Sequence, residues 1–382
     1  MNKKILFVTP SFKNGGTISC LKSLVPFLRE RGFSIDVFAL TPFGPNKEYI
    51  ENYCRVISFT GVSNKVGTKK ESILLKVVKR IKHFLSKIGV DISKVGYRPY
   101  ISKLAANGYD SIIAFQEESA TQFVSYFDQK NLIAWVHCDY SRITETGKKK
   151  DLDIYARYKK IVFVSGYTRN IFVGIYPSLK EKTVVIHNFI DRDSIRKKAN
   201  SPTLYQNEDN NTPYVVSIGR IDPVKHFTII PTIVTELKEK GVSLKWFIVG
   251  GGDNVEEIEN IQKEIKEYKV EDVVIMTGNL DNPFPLLKKS KLLVCTSYSE
   301  AYPTVIQEAT SLGVPSVITD FGSSKEVIIE GKNGVICNIK DMPNVIYDLM
   351  TDETRYNALK DSCGKYPSEN EKIASQLLNL LC

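Results

Sequence analysis

The sequence predicts an α/β protein made of two doubly wound domains that face a cleft. Short apolar segments alternate with helical segments, which is the pattern of β-α-β units and a mainly parallel sheet. This alternation occurs twice, on either side of a polar stretch rich in Asn and Pro at residues 197–213. The chain has 382 residues, enough for two domains that each bury a core.

The first series of apolar segments predicts an N-terminal domain at residues 1–195. Its predicted strands are Ile5–Thr9, Ser34–Ala39, Arg55–Phe59, Ser111–Ala114, Leu132–Val136, Ile161–Val164 and Thr183–Ile186. The helical spacing of apolar residues predicts helices between these strands, including Ile18–Arg31 and Ile73–Ile88.

The second series predicts a C-terminal domain at residues 196–368. Its predicted strands are Tyr214–Ile218, Leu244–Val249, Val273–Thr277, Lys291–Cys295, Ser316–Thr319 and Gly334–Cys337. The polar stretch 197–213 fits a linker or an exposed loop between the domains. A last helix is predicted at Glu371–Leu381.

Composition and cysteine usage indicate a cytoplasmic protein. Hydrophobic residues make up 42% and charged residues 25%, as in ordinary globular proteins. The seven cysteines are scattered and never form Cys-x-x-Cys, which favours a reducing compartment and argues against a zinc site. The apolar run after Lys4 ends by Pro10, too short for an export signal, and no stretch approaches the roughly 20 apolar residues that span a bilayer.

Two glutamates, Glu300 and Glu308, lie on either side of a predicted helix start. The helix is expected to begin near Pro303, which is favoured at the first helical position, and to end at Gly313. Glu300 then lies in the preceding loop and Glu308 in the second helical turn. The free N–H groups of the helix start form a seat for phosphate between two carboxylates. This arrangement suits a nucleotide sugar, although two exposed glutamates beside an ordinary helix would show the same spacing.

A cationic motif follows the first strand of the C-terminal domain. Gly219 and Arg220 end the strand, and Lys225 follows five residues later. Arg offers a bidentate fork and Lys a compact charge, both suited to a diphosphate. In isolation, a surface Arg and Lys after a strand are common.

Two candidate sites follow strands of the N-terminal domain. Asn14, Gly15 and Gly16 follow the first strand, where paired glycines let the backbone approach a ligand closely, although the motif also fits a plain turn. His137 follows the strand Leu132–Val136, at the end where a cleft forms. A lone His at such a place is most often a structural residue.

The run from Glu300 to Ser316 resembles the donor site of retaining GT-B glycosyltransferases, particularly glycosyltransferase family 4. The resemblance implies a GT-B fold with two Rossmann-like domains, Glu300 on the transferred sugar and Glu308 on the ribose. It also implies a diphosphate clamp and a donor-binding loop, whose residues here are Gly219, Arg220, Lys225, Tyr302, Thr304 and Val305. The family often has Gly where this chain has Pro303, which removes one N–H donor.

In the N-terminal domain, the resemblance implies that Gly15 and Gly16 meet the diphosphate and that His137 reaches the donor sugar. Asn14 and Asp139 are the candidates on the acceptor side. His187 and Asn188 match a turn before the interdomain connection and are expected to be structural. The C-terminal helix, about 369–382, is expected to pack back onto the first domain. The residues expected to act in catalysis are therefore His137, Arg220, Lys225 and Glu300.

No metal or other cofactor is expected. Asp151-Leu152-Asp153 and Asp191-Arg192-Asp193 match the bare Asp-x-Asp metal motif of the other glycosyltransferase fold, but neither lies where that fold needs it. In GT-B enzymes, Arg and Lys take the place of the metal.

The resemblance therefore predicts a retaining hexosyltransferase that uses a nucleoside-diphosphate sugar, with UDP as the expected nucleotide. The predicted acceptor is a lipid-linked or oligosaccharide hydroxyl in bacterial surface polysaccharide synthesis (capsular polysaccharide or exopolysaccharide). Two alternatives remain open: a GT-B-fold UDP-sugar epimerase and a non-catalytic sugar-binding protein.

The net charge of +9 raises the question of further partners. Residues 73–88 combine helical apolar spacing with basic residues on the other faces. Such a helix fits either an anionic membrane surface or a core with a solvated outer side, and the predicted acceptor favours peripheral attachment to the inner face of the plasma membrane. Nucleic acid is not an expected partner, because no nucleic-acid module accompanies the charge.

Overall fold

The computed structural model describes residues 3–57, 92–202, 205 and 212–382. The helix predicted at 73–88, and with it the predicted membrane contact, lies outside these residues. Within the described part, no helix is both long and apolar enough to cross a membrane.

The strands form two parallel sheets, one in each half of the chain. The first sheet contains β1 (Lys4–Thr9), β2 (Ser34–Ala39), β3 (Arg55–Ile57), β4 (Ser111–Ala114), β5 (Leu132–Val136), β6 (Lys160–Phe163) and β7 (Thr183–Val185), in the order β3-β2-β1-β4-β5-β6-β7. The second sheet contains β8 (Tyr214–Ile218), β9 (Lys245–Val249), β10 (Val274–Gly278), β11 (Leu292–Cys295), β12 (Ser316–Thr319) and β13 (Gly334–Cys337), in the order β10-β9-β8-β11-β12-β13.

Helices connect the strands in both halves. In the first half they are α1 (Gly16–Glu30), α2 (Lys47–Glu51), α3 (Ile92–Ala105), α4 (Ser119–Val124), α5 (Glu145–Ala156), α6 (Gly166–Ile175) and α7 (Arg192–Lys198). In the second half they are α8 (Ile230–Glu239), α9 (Val255–Glu267), α10 (Phe284–Lys289), α11 (Thr304–Ser311), α12 (Ser324–Val327), α13 (Met342–Thr351), α14 (Glu353–Gly364) and α15 (Asn370–Leu381). The predicted architecture of two doubly wound domains is confirmed, and the predicted strand bounds agree to within one residue wherever both ends are described.

Alternate residues of the central strands enter different cores, as expected for sheets covered on both faces. In β1, Ile5 and Phe7 face one apolar cluster, and Leu6 and Val8 face another. The cluster with Ile5 and Phe7 continues into the second domain, where it includes Phe247. The two domains therefore share apolar packing on one side, and α1 packs against α11 there.

The last helix, α15, packs on the first domain. Its buried residues Ile373, Leu377 and Leu381 belong to the shared apolar cluster. Gln376 donates a hydrogen bond to the carbonyl of Val185 at 3.2 Å. The chain first passes from one domain to the other at α7, between β7 and β8 in the sequence. The predicted domain boundary at 195/196 falls inside this helix.

In both sheets the strand order reverses beside the central strand, at β1-β4 and at β8-β11. Ligands of doubly wound sheets bind at the carboxyl ends of the strands beside such a reversal. The loops after β1, β4 and β5 face this position in the first domain, and those after β8, β9 and β11 face it in the second. These loops carry the predicted site residues.

Candidate functional site

The loop after β8 directs a lysine back over the strand end. Asp222 caps the short 3-10 turn Pro223–Lys225 by accepting a hydrogen bond from the N–H two residues later, at 3.1 Å. His226 ends the turn in the left-handed region, with φ 53°. Lys225 then lies against Gly219, where an added Cβ would come within 3.3 Å of the lysine Cε. The glycine makes room for the lysine side chain.

Lys225 meets Glu300 at the end of the neighbouring strand, β11. Its Nζ lies 2.5 Å from Glu300 Oε1, and the side chains are only 20% and 13% exposed. Ser297 donates a second hydrogen bond to the same oxygen at 2.7 Å, and Ser323 donates to the Glu300 carbonyl at 2.9 Å. Burial alone would lower the pKa of Lys225, but the Glu300 carboxylate outweighs burial and raises it. The lysine is therefore charged across the physiological pH range.

Arg220 lies on the same loop with a different exposure. Its side chain is 63% exposed, and Nη2 lies 3.4 Å from Asp222 Oδ2. The structure thus places both predicted diphosphate-binding cations at the carboxyl end of β8, with Lys225 partly buried and Arg220 exposed to solvent.

Helix α11 begins at Thr304, so Pro303 occupies the capping position rather than the predicted first helical position. Its φ of −69° and ψ of 119° are extended, which only the residue before the helix can adopt. The C-terminal end agrees with the prediction, since Gly313 adopts a left-handed φ of 71°.

Glu308 lies in the second turn of α11, where the helix approaches α1. Burial raises the pKa of its carboxyl group to about 7, and a hydrogen bond with Thr304 and the nearby Lys22 oppose this only in part. The carboxyl group is therefore close to its titration point at neutral pH, and it can both donate and accept hydrogen bonds.

The side chains of the predicted donor loop are largely used for packing. The Tyr302 ring stacks on His187, with centroids 4.4 Å apart, and its carbonyl accepts a hydrogen bond from Asn188 at 2.9 Å. Val305 packs against the shared apolar cluster. The side chains of both residues are therefore engaged in packing within the protein.

In the first domain, Gly15 and Gly16 are exposed at the start of α1. Gly15 is the capping residue, and no atom would contact a Cβ at either position. Asn14 accepts a hydrogen bond from the side chain of Asn46 at 2.8 Å, which ties this loop to α2. The loop is open to the cleft at its glycines and fixed at its asparagine.

His137 follows β5 among aromatic rings. Its ring lies 4.8 Å from that of Phe115 and stacks at 6.2 Å on that of Trp135. Burial lowers the pKa of His137 to about 3, so the imidazole is neutral. Its Nε2 is buried and has no hydrogen-bond partner among the described residues. Buried polar atoms are usually paired, so this atom is suited to a ligand group.

Sequence reasoning missed Glu117, which anchors the His137 loop. Its carboxylate accepts a hydrogen bond from the His137 N–H at 2.9 Å. Burial raises the pKa of Glu117, while hydrogen bonds from His137 and Cys138 oppose that rise. The next residue, Glu118, has a φ of 61°, an uncommon conformation for a non-glycine residue. No sequence pattern marks this contact, because it joins loops after two different strands.

The loop Gly250–Gly252 after β9 was also missed, although three consecutive glycines after an apolar strand indicate a close approach of the backbone to another group. A Cβ on Gly250 would lie 1.8 Å from the carbonyl oxygen of Gly219. The loop therefore packs directly on the backbone that carries Arg220. Further along, Asp253 pairs with Lys13 of the first domain at 2.5 Å.

Glu326 joins the two domains at the start of α6. Its two oxygens accept hydrogen bonds from the N–H groups of Gly166 and Tyr167, each at 2.7 Å. A carboxylate in this position is favoured by the helix dipole. Gly322 lies under the Tyr167 ring, where a Cβ would come within 1.9 Å of the ring.

His187 lies between two carboxylates at this junction. Nδ1 is 2.7 Å from Glu369, and Nε2 is 3.7 Å from Glu326. Burial opposes the charged form, but the two carboxylates outweigh it and raise the pKa of His187 to about 9. The structure therefore supports the structural role expected for His187, as a charged link between the domains.

Asp139, the other acceptor-side candidate, has partners for both oxygens. Oδ1 accepts from the backbone and side chain of Ser141, at 3.0 and 2.7 Å, and Oδ2 accepts from Ser299 of the second domain at 2.6 Å. One aspartate of each Asp-x-Asp motif makes a local hydrogen bond: Asp151 accepts from Tyr140, and Asp191 caps α7. The described residues contain no group of three or more His, Cys, Asp or Glu that could hold a metal ion.

A cavity of about 500 Å³ lies away from this site, at the amino ends of β8, β11 and β12. Its charged lining residues are Lys288, Lys289, Lys291, Glu353 and Lys360. None of the predicted site residues lies there, so the candidate site is the cleft at the carboxyl ends.

Comparison with solved structures decides the fold. A crystal structure of Anabaena Alr3699/HepE in complex with UDP-glucose superimposes with a TM-score of 0.78, covering 98% of this chain and 99% of that one at 19% identity. The protein has the GT-B fold. Residues 205–365 match the family model described as glycosyl transferases group 1, so the family match lies in the second GT-B domain.

Curated relatives match part of the chain. N-acetyl-alpha-D-glucosaminyl L-malate synthase of Bacillus anthracis is 33% identical over 38% of this chain and 37% of the relative. Poly(glycerol-phosphate) alpha-glucosyltransferase of Bacillus subtilis is 31% identical over 38% of this chain and 21% of the relative. The chain spans half or less of the length of the first curated relatives that it matches. The likeness to the solved structure thus shows the GT-B fold for the chain.

Proposed function

We propose that the protein is a retaining glycosyltransferase that moves a sugar from a nucleoside-diphosphate sugar, most simply a UDP-sugar, to a hydroxyl group. The observation that carries the proposal is the Lys225–Glu300 pair, which lies beside Arg220 and before the start of α11. It combines fixed positive charge for a diphosphate with a carboxylate for sugar hydroxyls.

The diphosphate of the donor binds between the two cations and the helix start. Lys225 supplies a partly buried ammonium that is charged at physiological pH, and Arg220 contacts the diphosphate from the solvent side with its bidentate guanidinium. The N–H groups at the start of α11 add the positive end of a helix dipole. Together these groups stabilise the negative charge that develops on the departing diphosphate.

The two glutamates hold the sugars on either side. Glu300 is held by Lys225 and Ser297, and it accepts hydrogen bonds from hydroxyls of the transferred sugar. Glu308, with a pKa of about 7, serves the ribose hydroxyls. The unpaired Nε2 of the neutral His137 faces the donor sugar from the first domain.

The chemical step needs no covalent enzyme intermediate. The bond between the anomeric carbon and the diphosphate oxygen breaks, and the acceptor oxygen bonds to the same face of that carbon. The acceptor proton passes to the departing diphosphate oxygen, so no protein base is consumed. Closure of the two domains excludes water, which would otherwise hydrolyse the donor.

Relatives with named activities support sugar transfer. The Bacillus subtilis relative is named an alpha-glucosyltransferase, and the structural neighbour was crystallised with UDP-glucose. A Campylobacter jejuni relative, 24% identical over 45% of this chain, is named for transfer to a diphospho-undecaprenol-linked acceptor. By analogy, the acceptor is a lipid-linked or oligosaccharide hydroxyl in surface polysaccharide synthesis, at the cytoplasmic face of the membrane.

A panel of nucleotide sugars tests the proposal. Each donor is incubated with the purified protein, alone and with simple glycoside acceptors, and the products are analysed by NMR. The proposal predicts transfer from one donor with the anomeric configuration kept. An epimerised sugar from the donor alone would indicate the epimerase alternative. Tight donor binding without any transfer or hydrolysis would indicate a sugar-binding protein.

A further inference from the structure

The loop that carries Glu300 also contacts the first domain. We propose that the hydrogen bond between Asp139 and Ser299 is a positioning contact that fixes Glu300 for transfer when the domains are closed. This inference rests on the proposed function, since it assigns a role to the same donor site. It concerns two residues that do not touch the donor themselves.

From the second domain, Glu300 is held on one side only. Lys225 and Ser297 hold its carboxylate, and Ser323 holds its carbonyl. All three belong to the second domain. Ser299, the preceding residue, turns the opposite way and donates across the cleft to Asp139 at 2.6 Å. The short loop before α11 is therefore held from both domains.

From the first domain, the acceptor oxygen is oriented before the domains meet. Oδ1 of Asp139 caps the 3-10 turn Tyr140–Arg142 by accepting from the Ser141 N–H at 3.0 Å, and this backbone bond orients the carboxylate. The Ser141 hydroxyl adds a second bond to the same oxygen. Oδ2 is then directed at Ser299. A hydroxyl that donates to an ionised carboxylate makes a stronger bond than a neutral pair does. The acceptor of this contact is thus oriented within the first domain, and the donor is Ser299 in the loop before α11 of the second domain.

Closure of the two domains is therefore expected to affect the position of the Glu300 side chain. In an open cleft Ser299 has no partner across the gap, and the loop has only its ties within the second domain. Closure adds the cross-domain tie next to the residue that holds the transferred sugar. A small misplacement of a positioning group lowers the rate steeply, while binding through the diphosphate cations is unaffected. The contact therefore acts on kcat more than on donor affinity.

The test compares Ser299→Ala and Asp139→Ala with Ser141→Ala as the matched control. Ser141→Ala removes one bond to the same carboxylate without crossing the cleft. We expect kcat to fall about tenfold in Ser299→Ala, the loss of one hydrogen bond to a charged group, with the donor KM changed by less than about twofold. We expect Ser141→Ala to stay within about twofold of wild type. In the Asp139→Ala background, Ser299→Ala should cause no further loss.

Unchanged kcat in Ser299→Ala, or full additive losses in the double variant, would overturn the inference. A second readout does not depend on transfer: hydrogen exchange of the amides of 297–302 in the ligand-free protein. Exchange should rise in Ser299→Ala and Asp139→Ala and not in Ser141→Ala. If the wild type transfers no sugar, the proposed function fails, and hydrogen exchange alone decides: equal exchange in all variants rejects the contact, and the expected pattern supports it.

Discussion

The two sides of the cleft hold their functional groups in different ways. In the second domain, Lys225 and Glu300 are paired, and each satisfies the other's charge. In the first domain, His137 is neutral and its Nε2 is without a partner in the described structure. Its loop is held through a backbone N–H, by Glu117. The polar groups of the second domain are thus paired before a ligand arrives, and the first domain has an open position at His137.

This difference suggests that the two sides of the cleft have different roles in ligand binding. A paired, partly buried ion pair costs little reorganisation when a diphosphate binds, so it suits a group that every donor shares. An unpaired polar atom in an aromatic setting is costly until a ligand satisfies it, so it suits selection among ligands. Changes on the donor side should therefore cause large losses, and changes on the other side smaller ones.

The largest effect is expected for Glu300→Gln. The amide keeps the size but not the charge, so Lys225 loses its partner and the sugar loses a charged acceptor. We expect the transfer rate to fall on the order of 100- to 1,000-fold, as for loss of a preorganised electrostatic group. Steady-state kinetics measures the loss. The control is Glu267→Gln on the exposed part of α9, which removes the same charge without effect; wild-type rates in Glu300→Gln would reject its role.

The next effect concerns His137→Phe, which keeps the aromatic contacts and removes the ring nitrogens. We expect a loss of about tenfold in transfer, the size of one hydrogen bond.

The same variant tests the protonation state of His137 through the pH dependence of the free energy of unfolding. The pKa of His137 is about 3 in the folded state and about 6.5 when unfolded, so the unfolded chain binds more protons between these values. Its contribution to stability is therefore present above pH 6.5 and lost as the pH falls towards 3.

Urea unfolding at pH 7 and pH 5 checks this second part. Wild type should lose more stability than His137→Phe on going to pH 5, by up to about 1.4 kcal/mol per pH unit. An equal loss in both proteins would show that this imidazole is not buried in its neutral form.

The smallest effect on activity is expected where the two sides meet, at Glu326. Glu326→Gln weakens the cap on α6 and the charged link to His187, and we expect a loss of about 1 to 3 kcal/mol in the free energy of unfolding. The pKa of His187 is raised to about 9, so its stabilising contribution is present below pH 6.5 and lost as the pH rises through about 9. Wild type should therefore lose more stability than Glu326→Gln between pH 7 and pH 10. Parallel loss in the two proteins would contradict the link.

The sequence predicted the fold closely because both sheets are buried on two faces. Continuous apolar segments such as Leu132–Val136 leave little choice of secondary structure or bounds. The grouping of Arg220, Lys225 and Glu300 could also be predicted, since each residue follows a strand end in a recognisable pattern. The helix predicted to begin near Pro303 begins at Thr304, because the fixed φ of proline suits both the capping position and the first helical position.

The contacts between domains could not be predicted from the sequence. Asp139 with Ser299 and Glu326 with Gly166 join residues about 160 positions apart. Neither pair has a spacing that local periodicity could reveal, and each forms only when the two folded domains pack together. Glu117 was missed for a different reason: its contact with His137 lies within the first domain and joins the loops after two neighbouring strands.

Calorimetric titration with UDP tests whether the positive charge after β8 binds the diphosphate of the donor. The comparison is between wild type, Lys225→Ala and the control Lys238→Ala, whose lysine forms an exposed ion pair with Asp272 at 3.8 Å. With all three folded, we expect UDP affinity to fall about 100-fold in Lys225→Ala, about 2.7 kcal/mol, and to stay unchanged in Lys238→Ala. UDP binding of equal strength in wild type and Lys225→Ala would contradict the account.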